Sequence, residues 1–244
     1  MKLSTACTLL LLIRSTSAFR STFRPPSNPT TRYTALTATA GSLGCRPIGI
    51  GSAAPSTVIT NQDLESIIET SDEWIQSRTG IATRHVLLHA ETIQDLGARA
   101  GQQALAMSEI DPSDIDLVIC ATSSPDDLFG DATSIAAQLK CTNAMAFDVT
   151  AACSGFLFAM VTAGQFLHNG KGMKYALIVG ADALSRWVDW DDRNSCILFG
   201  DGAGAMVLIA DDQAPGVLGY SAHSNGLGYE KLKLRYVPGL PDII

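Results

Sequence analysis

The chain has 244 residues, of which 46% are hydrophobic and 17% charged, so it contains enough apolar material for a sizeable core and is not a disordered protein. Its charge is unevenly distributed: residues 1–46 carry six basic residues and no acidic one, whereas the remainder carries 11 basic and 24 acidic residues. An acidic body without a basic stripe argues against nucleic acid as a partner.

Two targeting signals in series are predicted at the N-terminus. Met1–Phe19 contains a lysine, a short apolar run at Leu9–Ile13 and small residues before Phe19, which is the order of a secretory signal peptide. That run is too short to span a bilayer, and no membrane association is expected. Residues 20–41 are rich in Ser, Thr, Arg and Pro, as in an organelle transit peptide.

The junction Ser17-Ala18-Phe19 resembles the bipartite plastid presequence of algae whose plastids lie inside the endomembrane system. We therefore expect residues 1–46 to be a disordered targeting presequence and the mature protein to lie in the plastid stroma. The alternatives are a plainly secreted protein or a wrongly chosen start codon.

From Pro47 onward, short apolar runs alternate with helical patterns. Pro47–Pro55 predicts a strand that runs into a turn, and residues 60–75 predict one or two short helices capped by Thr60 or Asn61. Apolar residues at helical spacing predict an amphipathic surface helix between residues 91 and 109. These residues are Ile93, Leu96, Ala100, Ala104 and Met107.

Continuous apolar runs at Asp116–Ser124, Ala144–Thr150 and Lys174–Asp182 predict strands that are buried on both faces. Helical segments separate these runs, which indicates a parallel sheet covered by helices. Cys153–His168 is apolar on nearly every side and predicts a helix between sheets. Ser195–Asp211 predicts two strands joined by the turn GDGAG, a structural turn because it lacks the Lys and Ser/Thr of a phosphate-binding loop.

Cys153 lies in VTAACSGF, at the corner between a predicted strand and a predicted helix. The positive end of the helix dipole there favours a thiolate, and the small neighbours leave room for a substrate. Taken alone, the residues still favour a buried structural cysteine over a nucleophile. No two cysteines have C-x-x-C spacing, so neither a zinc site nor a disulfide framework is predicted, and Cys120 and Cys141 are interpreted as core residues.

Three stretches, in order, carry a family resemblance: TSDEWIQSRTGIATRH at residues 70–85, FDVTAACSGF at 147–156 and ILFGDGAGAMVL at 197–208. They closely resemble β-ketoacyl-(acyl-carrier-protein) synthase III, the initiating condensing enzyme of type II fatty-acid synthesis. The resemblance implies an α/β, thiolase-like fold of stacked α/β/α/β/α layers made from two similar halves. Residues 47–211 would form the first half, and residues 212–244 the start of a largely missing second half.

The resemblance also assigns roles to individual residues. Cys153 matches the acyl-accepting nucleophile, and Trp74, Arg78 and Arg193 match residues that hold the nucleotide of coenzyme A (CoA). Phe129 matches the residue that lines the partner's acyl pocket in a homodimer. Without the family, a core aromatic would be preferred for Trp74 and a surface ion pair with a neighbouring aspartate, Asp191 or Asp192, for Arg193.

The implied substrates are acyl-CoA, with acetyl-CoA expected, and malonyl-acyl carrier protein, without a cofactor or a metal. The condensation step of the family uses a His and an Asn from the second half. The four histidines lack the family's Pro-His-Gln context and are interpreted as surface or packing residues: His85, His89, His168 and His223. We therefore expect a truncated gene model whose 244 residues lack full condensing activity.

The sequence leaves open two alternatives to the interpretation as a truncated condensing enzyme. The chain could be a non-condensing subunit that modulates a full-length paralogue. It could also be a related thiolase-fold acyltransferase or a polyketide-type synthase that uses the same cysteine.

Overall fold

The computed structural model describes residues 43–88, 91–169, 172–213 and 216–234, together with the backbone of a strand at Leu10–Ile13. The rest of residues 1–42, which includes Cys7 and makes up most of the predicted presequence, lies outside the described residues. His89 also lies outside them. The first long strand begins at Cys45, just inside the range assigned to the presequence.

The secondary structure alternates between strands and helices along most of the chain. The strands are β1 (Leu10–Ile13), β2 (Cys45–Ala53), β3 (Thr57–Thr60), β4 (Thr83–Val86), β5 (Leu117–Ala121), β6 (Met145–Val149), β7 (Tyr175–Ala183), β8 (Asp201–Ala210) and β9 (Val217–Ser221). The α-helices are α1 (Asn61–Glu65), α2 (Asp72–Thr79), α3 (Ile93–Ser108), α4 (Ala132–Leu139) and α5 (Gly155–Asn169). Short 3-10 turns lie at Pro112–Asp114, Ala152–Ser154, Leu184–Arg186 and Gly226–Lys231.

A five-stranded sheet with the order β2-β8-β7-β5-β6 forms the centre of the fold. Strands β7, β5 and β6, which form from the three predicted runs, are parallel as predicted, whereas β8 runs antiparallel to both of its neighbours. The reason is the connection from β7 to β8, which contains turns and no crossover α-helix, so the chain returns in the opposite direction. Two further antiparallel pairs are β1–β9 and β3–β4.

Helices cover both faces of this sheet. On one face α3 and α4 bury residues such as Leu96 and Ile135 against Val118 of β5. On the other face α5 buries Met160 and its neighbours against Ile119. Alternate residues of β5 therefore enter different cores, and all five residues of this strand are buried, as predicted. In the described part of the chain, no helix has both the length and the apolar character needed to cross a membrane.

Local signals account for several helix boundaries. Thr60 caps α1 in a reciprocal capping box with Asp63, as the sequence predicts. The predicted amphipathic helix is α3, which begins after the cap Thr92 and buries the expected apolar face, except that Met107 is 62% exposed. The helix predicted from Cys153 begins at Gly155, and only one of its faces is fully buried.

Two strand predictions need correction. The sequence GDGAG is not a turn between two strands, because its glycines lie within or beside the single strand β8, while residues 195–198 form turns. Glycine is tolerated there because β8 lies between β2 and β7, where Gly204 pairs with Gly180. The run Ala144–Thr150 forms β6, but it is only half-buried, because β6 is the last strand of the sheet.

Candidate active site

Three candidate features lie at one edge of the central sheet. The turn that carries Cys153 follows β6, the loop that carries Phe129 follows β5, and the segment that carries Arg193 follows β7. Because β5, β6 and β7 are parallel, their carboxyl ends meet at the same edge. In α/β sheets, this edge is the usual location of a ligand site.

Cys153 is the central residue of the 3-10 turn between β6 and α5. The preceding residue, Ala152, has a φ of +46°, in the left-handed region that residues with a Cβ rarely adopt. The Ser154 N–H closes the turn on the Ala151 carbonyl at 3.1 Å. The thiol is exposed, so the alternative of a buried structural cysteine is wrong for this residue. A strained corner before a helix is a geometry that presents a nucleophile.

Close packing holds this corner against the sheet. A Cβ on Gly155 would lie 3.3 Å from the Ala121 Cβ, so the first residue of α5 touches the end of β5. A Cβ on Gly180 of β7 would lie 2.9 Å from the ring of Phe156, which is closer than such atoms approach in proteins. The small residues around Cys153 therefore allow the helix to start directly on the sheet edge.

The other described cysteines are in different surroundings: Cys45, Cys120, Cys141 and Cys196 are all buried. Burial raises the pKa of Cys45 and of Cys141 to about 11, and it also raises the pKa of Cys120 and Cys196. Their thiols are therefore poor nucleophiles near neutral pH. The prediction that Cys120 and Cys141 are core residues is confirmed, with exposures of 0% and 4%.

Trp74, Arg78 and Arg193 lie together, and we refer to these three residues as the clamp. The guanidinium carbon of Arg193 lies 4.0 Å from the centre of the Trp74 ring, and that of Arg78 lies 4.7 Å away. Both distances are those of cation–π contacts. An aromatic ring with two guanidiniums beside it suits a ligand that has both a flat base and phosphate groups.

Neither a core aromatic for Trp74 nor a surface ion pair for Arg193 describes this arrangement. Trp74 is only half-buried, so it is not a simple core aromatic, although part of it packs on a small apolar cluster that includes Ile75. No ion pair joins Arg193 to Asp191 or Asp192 within residues 172–213. Asp192 instead accepts hydrogen bonds from the Asn194 backbone and the Ser195 hydroxyl, which hold its pKa below the usual carboxyl value.

Phe129 lies on the loop between β5 and α4, and its side chain is fully exposed. Its N–H donates to Asp127 at 2.8 Å, and Gly130 follows with a φ of +107°, so the loop has a defined shape. An open groove of about 560 Å³ lies beneath the loop and reaches Val149 and Thr150, at the entry to the Cys153 turn. The groove thus extends from the Phe129 loop to residues that closely precede the Cys153 turn.

Each described histidine contacts a local partner. His85 Nδ1 lies 2.6 Å from the Pro55 carbonyl, His168 Nδ1 lies 3.1 Å from an Asp212 oxygen, and His223 Nε2 lies 2.9 Å from the Ser221 hydroxyl. These contacts agree with their interpretation as surface or packing residues.

Several polar groups that the structure buries carried no signal in the sequence. The Thr70 hydroxyl, just before α2, is buried and has no hydrogen-bond partner among the described residues. Arg84 and Asn61 are buried and bond to each other at 2.8 Å. Asp201, in the predicted turn, is buried and accepts from the Leu87 N–H and from Ser185, so it fixes the start of β8.

Comparisons with known proteins agree with this arrangement. A family model described as 3-oxoacyl-(acyl-carrier-protein) synthase III matches residues 147–226. The β-ketoacyl-(acyl-carrier-protein) synthase III of Synechococcus sp. (strain WH7803) is 56% identical over 184 residues, which are 75% of this chain and 54% of that protein. The chain spans between 54% and 61% of the length of the curated relatives it matches.

Two crystal structures share the fold. The 3-oxoacyl-(acyl-carrier-protein) synthase III of Aquifex aeolicus VF5 is 45% identical with a TM-score of 0.66, and the match covers 70% of this chain and 55% of that one. The priming β-ketosynthase of the R1128 polyketide biosynthetic pathway is 34% identical with a TM-score of 0.67, and covers 77% of this chain and 54% of that one. The predicted thiolase-like α/β fold is confirmed for the described residues.

Proposed function

The chain belongs to the β-ketoacyl-(acyl-carrier-protein) synthase III family, and from this premise we propose that it starts fatty-acid synthesis by accepting an acyl group from acyl-CoA on Cys153. The observation that carries the proposal is the sheet edge itself, where the exposed Cys153 follows β6 and Arg193, which contacts Trp74, follows the parallel strand β7. The reaction uses acyl-CoA and malonyl-acyl carrier protein as substrates and no separate cofactor.

In the first half-reaction, the Cys153 thiolate attacks the carbonyl carbon of acyl-CoA. The new carbon–sulfur bond forms as the bond to the CoA sulfur breaks, and CoA leaves as a thiolate that takes up a proton. Cys153 lies in the turn that leads into α5, so the positive end of the helix dipole stabilises the negative charge that develops in the transition state.

The clamp would bind the nucleotide end of the same substrate. The Trp74 ring offers a face for adenine, and the guanidiniums of Arg78 and Arg193 offer charge to the base or the phosphates. The Thr70 hydroxyl is a further polar group with no partner in the described structure. Binding energy from this remote end would hold the thioester near Cys153.

In the second half-reaction, malonyl-acyl carrier protein loses carbon dioxide, and the resulting carbanion attacks the acyl-cysteine to give a β-ketoacyl product. The resemblance assigns the donors that stabilise the enolate to a His and an Asn that have no match among the 244 residues. We therefore propose that the 244-residue chain, on its own, forms the acyl-enzyme without condensation.

The test is to incubate the purified 244-residue chain with acetyl-CoA and then with malonyl-acyl carrier protein. We expect one acetyl group per chain by intact mass, its absence in Cys153→Ala, and no acetoacetyl-carrier product. Equal labelling of Cys153→Ala would overturn the proposed nucleophile. Condensation by this chain would overturn only the statement about the second half-reaction.

A homodimer through the edge of the sheet is proposed as well. Phe129 and Leu128 are 100% and 80% exposed, and the neighbouring strand β6 pairs on one side only within the described residues. Exposed strand edges and large apolar side chains are features of interfaces. Light scattering should give the mass of two chains, and replacing Phe129 and Leu128 with serine should shift the mass to that of one.

A polyketide-type priming reaction is the second candidate, favoured by the similarity to the R1128 priming β-ketosynthase. Both reactions would use the same cysteine, so the acyl donor separates them. Competition between acetyl-CoA and longer acyl-CoA for Cys153 should favour acetyl-CoA if the chain serves fatty-acid synthesis. A preference for a longer or branched donor would support the second candidate.

The plastid stroma is the proposed location, supported by the order of signals in residues 1–46. The proposal implies that the mature protein lacks β1, which lies within that range. A fluorescent protein fused after residue 46 should enter the plastid of an alga with a plastid inside its endomembrane system. The same fusion without residues 1–18 should stay in the cytosol, and secretion of the full fusion would contradict the proposal.

A further inference from the structure

Arg84, on β4, is a buried cation that the proposed mechanism does not use. Only 4% of this residue is exposed. Among the described residues it donates only to neutral oxygens, namely Asn61 Oδ1 at 2.8 Å and the carbonyls of Ile59 and Ile197 at 3.4 Å. Its Nε has no partner there. Burying a guanidinium without a carboxylate is costly, so stability alone gives no reason for an arginine at this position.

The contact of Arg84 Nη2 with Asn61 leads to the helix that carries Trp74. Asn61, the acceptor of Arg84, donates its side-chain amide to Asp72 Oδ1 at 2.8 Å and to the Ile81 carbonyl at 2.8 Å. Asp72 is the first residue of α2, two positions before Trp74, and Ile81 lies just beyond the end of the same helix. Arg84 and Asn61 together therefore hold both ends of α2.

A second contact of the same nitrogen, Nη2, leads to the segment that carries Arg193. The Ile197 carbonyl accepts from Arg84, and Ile197 lies in the series of turns that follows Asp192. In that series the Cys196 N–H donates to the Asp192 carbonyl at 3.0 Å, directly beside Arg193. One buried guanidinium thus contacts both segments from which the clamp is built, although they are more than 100 residues apart in the chain.

We propose that Arg84 is a positioning residue for CoA binding, which fixes the Arg193 segment relative to α2 and so sets the spacing between the Arg193 guanidinium and the Trp74 ring. This inference rests on the proposed function of the clamp. A ligand binds at least cost to groups that are already held in place, because less freedom is lost on binding. The planar guanidinium serves three acceptors at once, because Nη2 donates to Asn61 and Ile197 and Nη1 donates to Ile59.

The competing explanation is that apolar packing alone positions the clamp. Leu64, Ile75, Cys196 and Ile197 form a small core that also joins α1 and α2 to the Arg193 segment. Arg84→Met separates the two explanations, because methionine keeps an apolar stem beside this core while removing the hydrogen bonds. Asn61→Asp is a second variant, which keeps an acceptor for Arg84 but removes the donor to Asp72 and Ile81.

The experiment measures the affinity of the 244-residue chain for CoA by titration calorimetry, and the rate of Cys153 acetylation by acetyl-pantetheine, which lacks the nucleotide. We expect Arg84→Met and Asn61→Asp each to weaken CoA binding about tenfold, the size of one well-placed cation–π contact, and to change acetylation by acetyl-pantetheine less than about twofold. Arg99→Met is the matched control, because Arg99 also donates to a carbonyl, that of Ala54, but lies on α3 and should leave CoA binding unchanged.

The outcomes separate this inference from the function on which it rests. If the wild-type chain does not bind CoA, or if Trp74→Leu binds it as well as wild type, both the clamp and the role of Arg84 are overturned. If Trp74→Leu loses affinity while Arg84→Met and Asn61→Asp keep it, only the role of Arg84 is overturned. A parallel loss of CoA binding and of acetylation by acetyl-pantetheine in both variants would mean a general structural role, which also contradicts the proposal.

Discussion

The contact between Trp74 and Arg193 makes a quantitative prediction about nucleotide binding. The ring is half-buried, and guanidinium carbons lie 4.0 and 4.7 Å from its centre. Stacking of a base on an aromatic ring contributes about 1–3 kcal/mol. Trp74→Leu should therefore weaken the binding of CoA by about 1–3 kcal/mol, which is roughly a 5- to 150-fold increase in Kd.

A double-mutant cycle tests whether the two side chains act on the same ligand. Calorimetric titration with CoA should give similar losses for Trp74→Leu and Arg193→Met, and a combined loss about 1 kcal/mol or more below their sum, because each needs the other to hold the base. Arg46→Met is a suitable control, since Arg46 on β2 pairs with Asp211, the residue that directly follows β8. Fully additive losses, or a Trp74→Leu change of less than about twofold, would refute the assignment of the base to this pair.

Three further predictions concern the cysteines, the corner at Cys153 and the pH dependence of α2. Iodoacetamide at about pH 8 should alkylate Cys153 and spare the buried thiols, as mapped by peptide mass; these are Cys45, Cys120, Cys141 and Cys196. Gly180→Ala should lower the free energy of unfolding by about 1–3 kcal/mol and slow the acetylation of Cys153, because its Cβ would push Phe156 and the start of α5 away from the sheet. Hydrogen bonds from Gln76 and Asn61 lower the pKa of Asp72 below its usual 3.8, so Asp72 adds stability above that pH and loses it as the pH falls through the lowered value. Chemical denaturation should show a smaller loss of stability in acid for Asp72→Asn than for wild type. An equal loss in the two proteins would contradict the contribution of Asp72 to this pH dependence.

The parts of the fold that could be predicted from the sequence are those with local causes. The buried strands β5 and β7 appear as continuous apolar runs, and the start of α1 is marked by a cap whose partner is three residues away. The glycine-rich start of β8 is predicted as a turn because glycine is a common turn residue, and only its position between two other strands explains why it is extended there.

The candidate site depended on contacts that no local pattern records. Composition and spacing alone favoured a buried Cys153 and an ion-paired Arg193, and only the resemblance to a family suggested otherwise. The exposure of Cys153 depends on the strained turn at Ala152, and the contact of Arg193 with Trp74 joins distant segments. Arg84 carried no signal at all, since its acceptors Asn61 and Ile197 are 23 and 113 residues away.

The most direct test of the central claim is to locate the acyl group after reaction with acetyl-CoA. Digestion of the acetylated chain at acidic pH, followed by peptide mass spectrometry, should find the acetyl group on Cys153 as a thioester that hydroxylamine removes. The same digest of Cys153→Ser should contain little or none of it under the same conditions. An acetyl group found mainly on a lysine, or on another cysteine, would contradict the claim that Cys153 is the acyl acceptor of this chain.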